Sequence, residues 1–239
     1  MSDIFGIKPL AKAINTATKA TAEGAGAFLS RICLPAAEEF GLLLKDNVSA
    51  WRAQNALAIA ARAETMFETL PNPEGRHAHP RIVGAVMEHG SWADEDDVRS
   101  MWAGLLASAC TESGKNQENL IYVNLLAQLT TSQARILNFA CNRANKIKTE
   151  AGLLLAYRLI VKLDEIITES GTTDLYTLDL EIDYLRELGL LDEHSGLDEH
   201  SGLDTTSREF AVVTPSGIGL QLYVRCQGSV GTPPEYFNL

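Results

Sequence analysis

The sequence lacks nearly every local signature from which a reaction can be read. It has no G-x-S-x-G elbow, P-loop, dinucleotide fingerprint or H-E-x-x-H pair in a usable context. Its four cysteines, Cys33, Cys110, Cys141 and Cys226, lie far apart with no C-x-x-C pair, which argues against a disulfide framework or a zinc site and for a reducing compartment. Positive charge is scarce: 20 Lys and Arg against 31 Asp and Glu leave a net charge of -11 and a pI near 4.9. Phosphate binding depends on clustered Lys and Arg, so nucleic acid is not the expected partner. Long apolar runs are missing too. The most apolar window, residues 24–44, is interrupted by Arg31, Pro35, Glu38 and Glu39, which rules out an ordinary membrane-spanning helix there. The start MSDIFGIKPLAK has no secretory pattern, and the cytoplasm is the expected compartment.

What is present is helical periodicity. Pro35 has the fixed φ of a first helical residue, and the next prolines, Pro71 and Pro73, close the run. Between them Phe40, Leu44, Val48, Trp51, Ile59, Met66 and Leu70 recur at helical steps along one stripe. One long helix over residues 35–70 is therefore expected, serving as the spine on which later helices pack. Asn55 falls on its apolar stripe with Arg52 one turn earlier. A buried amide must find partners, so Arg52 and Asn55 are candidate interaction residues, with a register-setting polar contact between helices as the blander reading.

Ahead of the spine, residues 9–23 carry Leu10, Ile14, Ala17 and Thr21 on one side of a weakly amphipathic helix, with Gly24 to Gly26 as a joint after it. Lys8, Lys12 and Lys19 against Asp3 leave +2 over residues 1–22 and -13 over the rest. These three lysines are candidates for contact with an anionic membrane surface; docking on the spine is the alternative. Further helices are expected at 81–89, with Ile82, Val83 and Val86 inward, and from 98, with Met101, Trp102, Leu105, Leu106 and Ala109 inward. The carboxylates from Asp94 to Asp97 suit the start of that helix. Another helix is expected at 119–129. Thr130 and Gln133 have capping-box spacing for a helix over 131–145, and the pattern predicts one more over 149–169. His77 and His79 sit in a loop with no third ligand at metal-binding spacing.

In residues 175–188, Leu178, Ile182, Leu185 and Leu188 form an inner row, and Gly189 caps the end. Leu190 and Leu191, a polar insertion, the β-prone residues 210–213 and a last helix through Cys226 follow. That order resembles a winged-helix unit with residues 175–188 in the recognition position. Over 176–192, Asp179, Glu181, Asp183, Glu187 and Asp192 face only Arg186, a net -4 that a DNA groove would repel. The insertion contains the hexapeptide LDEHSG twice over, in a place where added length costs little. The tail beyond Gly228 has no pattern that demands a packed place.

The fold expected is thus mainly α: a helical bundle around one long helix, with a C-terminal winged-helix-like unit carrying a short β-hairpin. The expected divisions are an arm at 1–34, a helical domain at 35–128, the winged-helix-like domain at 129–228 and a tail at 229–239. Three stretches carry a family resemblance: LPAAEEFGLLLKDNVSAWRAQN with its Arg52-x-x-Asn55 spacing, the run from Trp102 to Ala109, and LRELGLLD paired with VVTPSGIGLQ. Together they resemble the abortive infection alpha family of bacterial proteins over roughly residues 30–226. The resemblance implies a role in defence against phage, in which infected cells stop growing or die. It transfers no catalytic, cofactor or metal residue. The expected function is a non-enzymatic defence protein that works by contact with a protein partner, with itself, or with the inner membrane surface; an enzyme with an unrecognised site and a winged-helix transcriptional regulator are the alternatives.

Overall fold

The computed structural model describes residues 16–35, 50–197 and 210–239, and they form two compact units. The first takes the described residues up to Ala127 together with Arg225–Val230; the second takes Gln128–Val224 and Gly231–Leu239.

The first unit begins with α1, Thr16–Ile32, followed by α2, Ala50–Phe67. Helix α1 runs straight through Gly24 and Gly26, where the sequence suggested a joint. Ala25, Phe28, Leu29 and Ile32 recur at helical spacing and are buried, which outweighs the roughly 1 kcal/mol that a helical glycine costs. Phe28 meets Phe67 of α2 edge-on, with ring centroids 5.6 Å apart. Of the expected spine, residues 36–49 lie outside the described residues, and α2 ends at Phe67, three residues short of expectation. Its buried face also differs. Ile59 and Leu70 are inside as expected, but Trp51 is 42% exposed, and the buried face is completed by Leu57 and Phe67 with the small residues Ala53, Ala56, Ala60 and Ala63. Small side chains at these steps let neighbouring helices approach closely, and α2 packs on α1 and on α4, described next.

After a single 3₁₀ turn at Pro73–Gly75 come α3, Pro80–Gly90, α4, Asp96–Ser108, and α5, Asn119–Leu126. Helix α3 buries Ile82, Val83 and Val86 as its pattern requires. Helix α4 is buried all round from Met101 to Ser108, because small residues fill the positions between its large ones.

The second unit opens with α6, Thr131–Arg143, whose start is the capping box read from the sequence. The Thr130 hydroxyl accepts from the Gln133 amide at 3.1 Å, and the Thr130 amide donates to Gln133 Oε1 at 2.9 Å. Thr130→Ala removes one half of that exchange and is expected to lower the stability of this unit by about 1 kcal/mol in chemical denaturation.

Residues 149–169 are not the single helix that their spacing predicted. Strands β1, Lys146–Lys148, and β2, Leu154–Ala156, form an antiparallel hairpin; β3, Ile160–Lys162, follows, and only α7, Leu163–Ser170, is helical. Gly152, at φ 83, turns the hairpin. The deciding partners of β3 are some fifty residues further on, so they leave no trace in local periodicity.

Helix α8, Leu175–Glu187, buries Leu178, Ile182 and Leu185 and is followed by Gly189 in the left-handed region, φ 69. Strand β4, Gly196–Leu197, and β5, Phe210–Val212, complete a three-stranded antiparallel sheet in which β5 lies between β3 and β4. Ala211 pairs with both Val161 and Leu197. Leu190 and Leu191 are buried, and Leu191 forms an isolated antiparallel bridge with Pro215. The second copy of LDEHSG, from residue 198 on, lies outside the described residues.

Helix α9, Gly217–Cys226, and the short α10, Pro233–Tyr236, end the chain. The tail is packed, contrary to expectation. Thr232 and Glu235 form a second capping box, and the rings of Tyr236 and Phe237 each lie 6.1 Å from that of Tyr223. The Tyr223 hydroxyl donates to Asn142 Oδ1 at 2.7 Å, which anchors the aromatic group.

Candidate interaction site

In the first unit, Arg52 and Asn55 converge on the turn between α3 and α4. Asn55 is buried; its Nδ2 donates to the Ser91 carbonyl at 3.1 Å, and its Oδ1 accepts from Arg99 at 2.7 Å. Arg52 donates to Ser91 Oγ at 3.0 and 2.8 Å, and its guanidinium lies 4.2 Å from the centroid of the Trp92 ring. Arg99 and Arg62 both reach the Asp96 carboxylate, at 2.5 and 3.0 Å. Their hydrogen bonds, that of Arg99 foremost, hold the Asp96 carboxyl below its usual range. The two sequence-selected residues thus act inward, fixing a turn. What the turn presents outward is Trp92, 59% exposed, with Trp51 6.3 Å away. Sequence reading missed Ser91, Trp92 and Arg99; the i, i+3 pair of Asp96 and Arg99 was the one local signal for part of this network. Lys8 and Lys12 lie outside the described residues, and Lys19 falls on α1.

The groups most suited to chemistry have structural partners. The backbone of His77 exchanges hydrogen bonds with that of Thr111, both at 2.9 Å. The His79 ring caps α3 by accepting from the Arg81 amide, and the His89 ring stacks on Trp102. All four cysteines are buried, and burial pushes the Cys110 thiol up to about 12, far from a reactive thiolate. Among the described residues no three His, Cys, Asp or Glu side chains group as metal ligands would, and no helix is long and apolar enough to cross a membrane. A small open pocket in the first unit touches Ser108, Thr111, Glu118 and Asn119. There Asn119 Nδ2 is engaged by Ser108 Oγ and the Leu105 carbonyl, at 2.9 and 3.2 Å.

The second unit shows a different kind of surface. On α8 the residues opposite the buried row are Tyr176, Leu180 and Tyr184, which are 85, 68 and 39% exposed. They stand four residues apart, so they form one row along the helix. Carboxylates line it: Asp179, Asp183 and Glu187, with Asp183 paired to Arg186 at 2.7 Å. Glu181 accepts from the Thr130 hydroxyl, and Arg186 donates to the Ser195 carbonyl, so both are engaged within the unit. The helix therefore offers solvent an apolar row in an acidic setting.

A family model, abortive infection alpha, matches residues 54–212, roughly two-thirds of the chain. The chain belongs to the abortive infection alpha family. The match takes in Asn55, the Trp92 turn and all of α8, and is narrower than the span of 30–226 read from the sequence. The run from Leu34 through Ala53 and the stretch from Val213 to Gln221 fall outside it. No curated protein and no solved structure matches the chain.

Proposed function

We propose that this abortive infection alpha protein protects bacterial cells against phage without catalysis, by presenting helix faces to a protein partner in the cytoplasm or at the inner membrane surface. One observation carries the reading: the exposed row of Tyr176, Leu180 and Tyr184. Large apolar side chains are costly to leave in water, and three in register on one helix are the anchors of helix-in-groove recognition. The order α6, β3, α7, α8, β4, β5, with the β1–β2 hairpin inserted after α6, supports reading the second unit as winged-helix-like, which would put α8 in the position that enters DNA in regulators of that kind. Here that helix carries carboxylates and exposed apolar groups with a single basic residue, Arg186, which favours a protein over a phosphate backbone. Arg52 and Asn55 serve the same role in the first unit by holding Trp92 outward. The basic segment with Lys8, Lys12 and Lys19 is a further contact element.

Two experiments test this. Plaque formation on cells carrying the intact gene, compared with cells carrying a disrupted copy, is expected to drop. Fluorescence anisotropy with labelled duplex DNA is expected to show no binding at about 0.15 M salt. Tight binding that weakens steeply as salt rises would replace the contact reading with a regulator.

A further inference from the structure

This inference rests on reading α8 as a contact face, and it names the occupant. We propose that the α8 face of one molecule receives the basic N-terminal segment, residues 1–15, of a second copy, and that two copies exchange these segments reciprocally.

Charge and spacing support the pairing. Asp179, Asp183 and Glu187 make the surroundings of the row acidic, while Lys8 and Lys12 lie in the one end of the chain that has a positive excess, +2 over residues 1–22 against -13 elsewhere. Opposite potentials steer the two surfaces together and fix their register. Leu10 and Ile14 are four residues apart, the same step that separates Tyr176, Leu180 and Tyr184. Both partners thus bring apolar side chains that can be buried against each other, with the lysines left at the rim beside the carboxylates.

Area explains why a second copy is the occupant and why the exchange is mutual. Three side chains of this size cover on the order of 400 Å², about half of what each partner contributes to a stable interface. When each molecule both gives its segment and receives one, its share doubles to about 800 Å², within the range of stable pairs. A two-fold arrangement provides this without any further surface.

The test is sedimentation velocity on the full-length protein over a concentration series. The wild-type chain is expected to dimerise. Removal of residues 1–15 and the substitution Leu180→Glu are each expected to weaken dimerisation by at least about tenfold. Leu180 is exposed, so Leu180→Glu leaves the buried face of α8 untouched, and circular dichroism is expected to show the variant folded. A charge exchange provides the second arm: Lys8→Glu with Lys12→Glu is expected to give monomers, and adding Asp179→Lys with Glu187→Lys to the same chain is expected to restore the dimer. A monomeric wild type at about 100 µM, or a dimer indifferent to truncation and to Leu180→Glu, overturns the inference. Plaque counts separate this from the broader reading. If Leu180→Glu abolishes protection while the wild type stays monomeric, α8 serves another protein and only the exchange is lost. If Leu180→Glu leaves protection intact, the contact reading itself fails.

Discussion

Gly104→Ala is expected to destabilise the first unit by about 3 kcal/mol or more, enough to unfold it in part under ordinary conditions. A Cβ built on Gly104 falls 1.7 Å from the Cys226 carbonyl oxygen, 2.3 Å from its carbon and 2.9 Å from its Cα. All three are backbone atoms, so no side chain can rotate to make room. The surrounding part of α4 is buried on every side, and a shift of the helix by the required ångström or more would displace Leu105, Leu106 and their neighbours together. Gly84→Ala on α3 is the matched control. It also lies in a helix, but nothing stands within 4 Å of its added Cβ, so the change is expected to stabilise by about 0.5–1 kcal/mol. Urea denaturation of the two variants should move in opposite directions; equal small shifts would mean that α4 and Cys226 are not in close contact.

The second large effect is expected at Asn55. Replacement by leucine keeps the volume but removes one donor and one acceptor from a buried position. The Ser91 carbonyl then loses the Asn55 donor, and the Arg99 guanidinium loses its acceptor on α2. Unpaired buried groups cost about 1–3 kcal/mol each, and charged ones more, so a loss of about 3 kcal/mol is expected. Because the same turn carries Trp92, its fluorescence should change with the stability. Arg52→Ala is expected to cost less, since Ser91 Oγ retains its own hydrogen bond to the Glu88 carbonyl, while Trp92 loses the guanidinium that lies over its ring. A change at Asn55 within about 0.5 kcal/mol would show the network to be incidental.

Where the sequence was legible, the forces were local. The inward face of α3, the large residues of α4, the capping box at Thr130 and the row Leu178, Ile182, Leu185 with Gly189 were each written in spacing of 3 or 4 residues or in a cap. Where it misled, the deciding contact was remote. Residues 149–169 have a spacing that suits a helix, yet Ile160 to Lys162 pair with Phe210 to Val212, and the hairpin before them turns on Gly152. The buried face of α2 was read from its large side chains, whereas four alanines make up half of it and Trp51 is 42% exposed. The tail looked patternless because its anchor, Tyr223, belongs to another helix, although the Thr232 and Glu235 spacing was a capping signal in plain view. Of the candidate site, Arg52 and Asn55 were visible as polar residues on an apolar stripe, but the turn they hold was not. The acidic character of α8 was readable from charge alone. Its apolar row became meaningful once the opposite face proved to be the buried one.

If protection runs through the α8 face as proposed, plaque formation on cells expressing Tyr176→Ala combined with Leu180→Glu is the decisive readout. Both residues are exposed, so the variant should accumulate and fold like the wild type. The account predicts that phage then plaque as efficiently as on cells without the gene. Undiminished protection by a folded variant would contradict it.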